Sequence, residues 1–510
     1  MERKGLGSAL TWRSLLILLF VIFLLAPMDT FLQVSFFSRF LSAGPGYMVG
    51  VPALWVTVIL FTEIARVFGK PLTRHEVFLI YFLFGTAMTE TFFIDTLYQG
   101  YHKTHLLSTQ FIDPQTGKLL SYVLPGWYAP PIGSPAYHLR SFLHADWLLP
   151  IAVLILAVGF GLCSELGLGL LCAHLYVEVE RLPYPTAPLG SESIITISER
   201  EPTRVKVFTI ATVISLIWSA FSFGVPTTLG YAFGIRAGYL TFIDLTTVLD
   251  KYFPGVVYGV IFEPFAYTFA WMLPASTIIS IFIGSYAIWV LGNWLTLQIP
   301  SPLFAQFQRE YVIGSPASLV IWRANINVWL SFFIGAALGI AVVRLIAGRK
   351  YLVRSIGSLA RLGKTAQVKT GYPPLPIILT LWLGGLLGST VLVYILVPQF
   401  PLWTLVLFLV GIPFVAAMIN ARGVGETGFG VSIPNMKELA ILSSGYKGAE
   451  AWFMPLYTRG FGMGSLASDY SYIAKVAQIT ETRFMDYVKT LLMLLPLTVV
   501  MSFIVISLFW

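Results

Sequence analysis

The sequence has little charge and almost no cysteine. Asp, Glu, Lys and Arg make up only 11% of the 510 residues, whereas 57% are hydrophobic. Because soluble globular domains carry about 25% charged residues, this composition excludes a soluble globular protein. The two cysteines, Cys163 and Cys172, lie nine residues apart in one apolar stretch. They are too far apart along a helix to form a disulfide with each other, so they say nothing about the redox compartment.

Long polar segments are also lacking, and apolar runs of about 20 residues, the length of a bilayer span, recur along the whole chain. We therefore predict an all-α polytopic (multi-pass) membrane protein with about eleven transmembrane helices plus a re-entrant half-helix element. The net charge of +8 fits basic cytoplasmic loops better than a nucleic-acid surface. The lipid bilayer is thus a predicted partner, and nucleic acid is not.

Basic residues predict the orientation of the spans. Arg3, Lys4 and Arg13 precede the first span, and the densest basic cluster lies at residues 344–369. We predict that the protein lies in the cell membrane. Since basic loops stay on the cytoplasmic side, its N-terminus is expected in the cytoplasm and its C-terminus outside. The long loop 98–146, rich in Gly, Pro and aromatic residues, is then outside the cell.

The predicted spans are separated by polar or proline-containing segments. They cover about Ser14–Phe36, Met48–Ala65, His75–Leu97, Trp147–Val177, Val207–Phe233, Val328–Ala347, Leu375–Val397 and Leu402–Asn420, with a last span that ends at Trp510. Residues Val256–Leu297 are two apolar runs joined at Pro274, which fit either two full spans or a re-entrant hairpin. Val431–Ser443 and Ala449–Tyr457 are too short to cross, and we predict that they are half-helices that dip in from the cytoplasmic side.

A proline-rich stretch interrupts the chain after the span at Trp147–Val177. Within EVERLPYPTAPLGSES at Glu178–Ser193, Pro183, Pro185 and Pro188 each remove a backbone donor and disfavour helix at the preceding residue. Irregular backbone at membrane depth is tolerated where it is buried in protein or lines a wet cavity. The stretch is therefore a candidate substrate site, and an ordinary cytoplasmic loop is the alternative.

The span before this break is rich in glycine. Gly159, Gly161, Gly167 and Gly169 all lie within it. Small residues of this kind allow neighbouring helices to approach closely in lipid. The pattern predicts close helix packing just before the break.

A second interruption is predicted at Ala421–Gly430, ARGVGETGFG, in the second half of the chain. Each break follows a span directed inward and carries an Arg and a Glu, so we divide the chain into two pseudo-repeat halves, 1–300 and 301–510. Interrupted segments at matching positions of two halves indicate a transporter's binding site. The predicted substrate-binding residues are Pro183, Tyr184, Pro185, Thr186, Arg422, Gly425, Glu426 and Thr427.

Four short motifs follow one another along the chain: PLTRHE at Pro71–Glu76, LPYPTA at Leu182–Ala187, ARGVGETGFG at Ala421–Gly430 and LASDYSY at Leu466–Tyr472. The second resembles the Leu-Pro-Tyr-Pro-Ser/Thr signature of the oligopeptide transporter superfamily, which includes the yellow-stripe-like metal-chelate transporters. The first is similar to that family's Pro-Phe-Thr-Arg-Gln-Glu motif. The third matches its Ala-x-x-x-Gly-x-Thr-Asp motif except at the Asp, and the fourth loosely resembles its Gln-Asp-Leu-Lys-Thr-Gly segment.

The resemblance implies inward transport of small peptides or metal–chelator complexes, generally coupled to protons. The chain departs from the family at Gly428, which stands where the motif has Asp. The Asn-Pro-Gly and Lys-Ile-Pro-Pro-Arg motifs of the peptide branch are absent, and the spans are fewer than the family's usual number. The resemblance therefore implies a distant branch, whose solute need not be a peptide and whose missing helices a partner chain would supply.

Acidic residues inside spans are candidates for proton coupling. Because ionisable groups at membrane depth cost several kcal/mol unless they face water or a partner, each is a functional candidate. Glu165 lies mid-span among glycines and is the strongest, followed by Glu426, Asp29 and Glu90. Structural pairing with an Arg or the backbone is the alternative, and for Glu63, close to a span end, it is the prediction.

Histidines concentrate in the loop 98–146, which holds four of the six: His102, His105, His138 and His144. If the chain is helical there, His102 and His105 share a face, which suits a metal such as zinc or copper. No Cys or clear carboxylate cluster joins them, so a loop that is simply polar is the alternative. No cofactor is predicted.

The two breaks indicate a transporter. The resemblance implies that it is a proton-coupled secondary active transporter that imports a small solute such as an oligopeptide or a metal chelate. Tyr184 is expected to stack on or hydrogen-bond the solute, and Glu165 or Glu426 to exchange the proton. A membrane enzyme is a rival class, but His174, the intramembrane histidine, has no motif beside it that indicates catalysis. A non-transporting subunit of a larger complex, with copies of itself or with a second membrane chain, is the other alternative.

Overall fold

The computed structural model describes residues 6–32, 46–88, 93–105, 108, 110–113, 116–234, 242–271, 273–336, 339, 342–343, 346, 372–430, 436–455 and 465–510. Over these ranges the secondary structure is helical except for one two-stranded antiparallel hairpin and two isolated bridges. The predicted all-α class is confirmed. The hairpin pairs β1 (Phe242–Asp244) with β2 (Gly259–Ile261).

The helices follow one another along the chain with few long gaps. The first eleven are α1 (Trp12–Phe20), α2 (Ala26–Leu32), α3 (Gly46–Val67), α4 (Arg74–Ala87), α5 (Ile94–Thr104), α6 (Leu120–Val123), α7 (Pro135–Leu139), α8 (Leu148–Ala173), α9 (Ala187–Glu199), α10 (Pro202–Ser219) and α11 (Val225–Phe233). The others are α12 (Thr246–Leu249), α13 (Pro264–Trp271), α14 (Ala275–Ser285), α15 (Asn293–Gln298), α16 (Ala305–Glu310), α17 (Ala317–Ala324), α18 (Leu375–Leu396), α19 (Leu402–Leu405), α20 (Ile412–Thr427), α21 (Met436–Ser444), α22 (Ser465–Ile479) and α23 (Phe484–Phe509). Short 3₁₀ helices lie at Ala145–Trp147 and Ala449–Phe453.

Several long helices contain a π-helical segment in which the backbone is wound more widely. These segments are Val21–Leu25, His174–Val179, Ala220–Gly224, Tyr286–Gly292, Asn325–Trp329 and Val406–Gly411. Most of them join two α-helices into one continuous rod, as Val406–Gly411 does for α19 and α20. Such segments are rare in proteins and frequently lie at functional sites.

Within the described ranges, eight helices are long and apolar enough to cross a membrane. They are Trp12–Phe31, Ala145–Val179, Pro202–Phe233, Ala275–Gln298, Ala317–Ala336, Leu375–Leu396, Leu402–Thr427 and Phe484–Phe509. The protein is therefore a multi-pass α-helical membrane protein by composition and helix length. The predicted total of eleven spans stays a prediction.

Helix α8 is the centre of the largest core cluster. It packs against α18, α22 and α20, so residues from both sides of position 300 share one core. A Cβ atom added to Gly167 would lie 2.5 Å from the backbone nitrogen of Trp382, and one added to Gly169 would lie 2.3 Å from the ring of Tyr470. The close approach predicted from the glycines is confirmed at these two positions, whereas Gly159 has nothing within 4 Å of a built Cβ.

The two ends of the bundle are marked by the chain termini. At one end Gly7 pairs with Thr482 just before α23, and Asp486 accepts hydrogen bonds from the backbone of Ala9 and the hydroxyl of Ser8. At the far end of α23, Trp510 packs on Phe142 of the long loop, with ring centroids 4.6 Å apart. The loop 98–146 and the N-terminal segment therefore lie at opposite ends of α23.

The segment Val256–Leu297 does not form two full spans within its described residues. It contains strand β2, the short helix α13 and one crossing-length helix, Ala275–Gln298. Its first apolar run pairs in the β-hairpin, because Phe242–Asp244 offers a matching edge. The sequence pattern did not separate a short apolar strand from the start of a span.

The half-helices and the loop 98–146, which were predicted on opposite sides of the membrane, lie at the same end of the molecule. Both α21 and the 3₁₀ helix Ala449–Phe453 are short, as expected, but they pack on the turn between α18 and α19, in a cluster with Val397 and Phe400. The ring of Phe453 lies 5.0 Å from that of Tyr128 in the loop 98–146. The half-helices and the loop thus share one end of the molecule, because apolar side chains on both bury each other there.

Candidate functional site

The proline-rich break is present and begins with a change of helix type. Helix α8 passes into the π-helical segment His174–Val179, and the chain then runs without regular structure until α9 begins at Ala187. Arg181 and Tyr184 take left-handed backbone conformations, with φ of 53° and 48°. Non-glycine residues in this region cost of order 1–3 kcal/mol each and persist where their surroundings hold them. Pro188 follows in the first turn of α9, where its missing N–H is tolerated.

The second break is shorter than predicted. Helix α20 continues through Thr427 and ends at Gly428, which takes the left-handed conformation with φ of 81°. The predicted site residues Arg422, Gly425, Glu426 and Thr427 are therefore helical, and the predicted unwinding from Gly423 onward is wrong. The Thr427 hydroxyl donates to the Gly423 carbonyl at 2.8 Å. A single glycine costs a helix only about 1 kcal/mol, which tertiary contacts offset.

The structure brings the two breaks together. The Tyr184 amide donates a hydrogen bond to the Gly425 carbonyl at 2.8 Å. A Cβ atom on Gly425 would lie 2.6 Å from Leu182, and one on Gly428 would lie 2.9 Å from Thr186. Because these glycines have no side chain, the proline-rich segment Leu182–Thr186 lies directly on the end of α20. Tyr184 is fully buried in this contact.

A charged triad joins the same two elements. The Arg422 guanidinium donates to Glu180 at 3.0 Å and to Glu426 at 2.8 Å. Their side chains are only 22%, 12% and 29% exposed, respectively. Glu426 is one helical turn from Arg422, whereas Glu180 comes from the first break. One arginine therefore joins the two interrupted segments. Its guanidinium and the two carboxylates are all partly buried between them.

A third element, α22, completes the site and was not among the predicted binding residues. The Tyr472 hydroxyl donates to the Thr186 carbonyl at 3.4 Å, and Asn420 on α20 donates to the Ser468 hydroxyl at 3.3 Å. Asn420 and Ser468 are buried. The motif LASDYSY, which covers these α22 residues, was the available signal in the sequence.

The predicted proton-coupling residues are dispersed. Glu165 is buried in α8. It lies fifteen residues before Glu180, which corresponds to roughly 22 Å along a helix. Asp29 is buried in α2, a helix that packs against α23 and not at the breaks. Only Glu426 lies at the contact between the breaks, and Glu90 lies outside the described residues. Glu63, expected to be paired, forms ion pairs with Arg66 and Arg200.

The two histidines of the predicted metal site lie at the end of α5. His102 is in the last turn and bonds through Nδ1 to the Tyr128 hydroxyl at 2.8 Å, while His105 caps the helix. Among the described residues, no group of three or more His, Cys, Asp or Glu side chains is placed to hold a metal ion. The predicted pair thus has no third ligand within the parts of the chain that the structure covers.

No protein-family model matches this sequence, and no curated protein matches it. At the two breaks, a proline-rich segment, the end of α20 and a charged triad meet where two crossing-length helices end.

Proposed function

We propose that this chain is a secondary transporter of the oligopeptide-transporter type that imports a small solute by alternating access, coupled to protons. The observation that carries the proposal is the contact between the two interrupted segments, made by the Arg422–Glu180 ion pair and the Tyr184–Gly425 hydrogen bond. Interrupted helices that meet inside a bundle are the usual architecture of a transporter's binding site.

The charged triad supports this proposal energetically. Bringing ionisable side chains into a membrane-spanning bundle costs several kcal/mol, so such groups are retained where they pair, bind or move charge. Arg422 holds two carboxylates at once, and a guanidinium is equally suited to the carboxylate of a solute. A solute carboxylate that replaces Glu180 at Arg422 would break the ion pair that joins the proline-rich segment to α20. A short peptide carries a carboxylate at its C-terminus, and so does a metal chelate whose chelator is a carboxylic acid.

Thermal stabilisation of the purified protein is the first test. A ligand that binds only the folded state stabilises it by about 2.7 kcal/mol at a concentration of 100 times its Kd. The panel contains short peptides, metal–chelator complexes, free divalent metals and common metabolites. A ligand that stabilises the wild type is expected to lose its effect in Arg422→Lys, because an ammonium cannot reproduce the two-sided contact of the guanidinium.

Arg204→Lys is the matched control. Arg204 pairs with Glu192 and Glu201 at an exposed position outside the break. Its substitution is expected to leave ligand stabilisation unchanged. If no compound stabilises the wild type while a second membrane chain co-purifies with it, the subunit alternative replaces the transporter proposal.

Uptake into proteoliposomes then tests proton coupling. With a labelled ligand from the panel, an imposed pH gradient is expected to drive accumulation. Glu426→Gln and Glu165→Gln are each expected to reduce the pH-driven part of uptake while uptake down the solute's own gradient continues. If both variants respond to the pH gradient as the wild type does, these carboxylates are not the coupling groups.

A further inference from the structure

The loop 98–146 holds a cavity on its side that faces the 3₁₀ helix Ala449–Phe453. Its volume is about 330 Å³, within the range of roughly 300–1,000 Å³ that small-molecule sites occupy. Its walls come from distant parts of the chain: Tyr101, His102, Phe111 and Leu124 lie in the loop, and Phe453 lies in the 3₁₀ helix after α21. The cavity therefore lies where the loop meets the half-helix segment.

The walls are aromatic and aliphatic with a few hydrogen-bonding groups. Among the described residues that line the cavity, none is Asp, Glu, Lys or Arg. Partial desolvation lowers the pKa of His102 below its usual value of 6.5, which favours the neutral imidazole. A ligand in this environment is held by apolar contact and hydrogen bonds, because the described lining offers no carboxylate, ammonium or guanidinium that would pair with a charge.

The orientation of His102 is fixed by its neighbours. Its Nδ1 bonds to the Tyr128 hydroxyl at 2.8 Å, and the two rings are parallel within 4°. Tyr128 packs edge-on against Phe453, with ring centroids 5.0 Å apart. When the tyrosine hydroxyl donates to Nδ1, the proton of the neutral imidazole is on Nε2. His102 is then a pre-oriented hydrogen-bond donor at an aromatic wall.

We propose that this cavity binds a small uncharged aromatic molecule that carries one hydrogen-bonding group, such as a phenol. The ring of the ligand lies among Tyr101, Phe111 and Phe453, and its polar group bonds to His102. The site is separate from the charged triad, so it does not depend on the transport proposal. A metal fits the cavity less well, since the described lining offers two imidazoles and no carboxylate.

The test is a fluorine NMR titration of para-fluorophenol with the purified full-length protein in detergent. Leu124→Trp fills the cavity from a buried position and is expected to abolish the protein-dependent signal change. His102→Phe keeps an aromatic ring but removes both nitrogens, and is expected to weaken binding about tenfold, the loss of one good hydrogen bond. Leu143→Trp, at an exposed position of the same loop, is the control and is expected to bind as the wild type does.

Equal binding to the wild type, Leu124→Trp and His102→Phe would show that the probe sits elsewhere and would overturn the proposal. No binding to the wild type would overturn it as well. So would binding of zinc chloride that depends on His102 and His105 without binding of para-fluorophenol, since the cavity would then be a metal site. If Leu124→Trp does not fold, as judged by its thermal midpoint, His102→Phe decides the outcome.

Discussion

Arg422 shows what a single residue contributes to the contact between the breaks. Its partner Glu426 is four residues away on the same helix, and its partner Glu180 lies in the first break. Removing one member of a buried ion pair leaves the other charge uncompensated, which costs about 3–5 kcal/mol when burial is complete and less at partly exposed sites. The position of Arg422 beside a glycine-rich segment made it predictable as a site residue. Its pairing with Glu180 was not, because that pair depends on the tertiary packing of α8 and α20.

Lys103 is predicted to give the protein a measurable pH dependence. It is buried in α5, outside the eight spans, and burial lowers its pKa from 10.5 to about 8. Below pH 8 the lysine is charged in both the folded and the unfolded protein, so the folded state bears the full desolvation cost. Between about pH 8 and 10.5 the unfolded state binds more protons, and the contribution of Lys103 to stability therefore rises with pH.

Lys103→Met is the variant that checks this expectation. We expect it to be more stable than the wild type at pH 7, and to lose this advantage as the pH rises from about 8 to 10.5. Thermal midpoints in detergent across this range are the measurement. Lys118→Met, at an exposed position of the same loop, is expected to change little. An advantage of Lys103→Met that is constant with pH would contradict the assigned cause.

Among the helices, the contact between α8 and α18 depends most directly on glycine. A Cβ atom on Gly385 would lie 2.5 Å from both the Phe160 carbonyl oxygen and the Ser164 nitrogen, whereas one on the adjacent Gly384 would meet nothing within 4 Å. Both residues are in α18, so their helix propensities are the same. Gly385→Ala is expected to destabilise the protein by about 1–3 kcal/mol through overpacking against backbone. Gly384→Ala is expected to be neutral, or stabilising by up to about 1 kcal/mol.

Thermal midpoints of the two glycine variants, measured side by side in detergent, give the comparison. Because the two substitutions lie one residue apart in the same helix, Gly384→Ala controls for their effects on helix propensity and on membrane insertion. Equal midpoints for Gly384→Ala and Gly385→Ala would show that the two helices adjust without cost.

The sequence allowed the helices to be predicted where covalent chemistry or composition determines them. The prolines at Pro183 and Pro185 remove backbone donors whatever surrounds them, and the break they predicted is present. Glycines are weaker signals, because a glycine costs a helix only about 1 kcal/mol, and α20 continues through Gly423 and Gly425 to Thr427. The π-helical segments and the β-hairpin depend on neighbours that no local pattern reveals.

For the whole molecule, the two predicted halves are not separate cores. Helix α8, from the first half, packs against α18, α20 and α22, all from the second. The boundary at residue 300 and the pseudo-repeat stay predictions. By contrast, the rest of the chain buries little of the helices at Pro202–Phe233 and Ala275–Gln298. In their most apolar stretches, only 6% and 0% of the residues are buried. Their apolar surface is the part of the molecule that lipid covers in the proposed membrane arrangement.

The positions of the two ends of the bundle predict which side of the membrane each end faces. Val67 lies beside Lys70, whose carbonyl accepts from Arg13 in the N-terminal segment, while Leu143 lies beside Phe142, which packs on Trp510. Both Val67 and Leu143 are more than 80% exposed. In a Cys163→Ser background, which removes the exposed native thiol, we expect a membrane-impermeant maleimide to label Leu143→Cys in intact cells. Labelling of Val67→Cys is expected only after the membrane is opened, because the basic residues near the N-terminus favour the cytoplasmic side. The reverse pattern would invert the predicted orientation, and labelling of both sites in intact cells would show that the bundle does not cross the membrane between them.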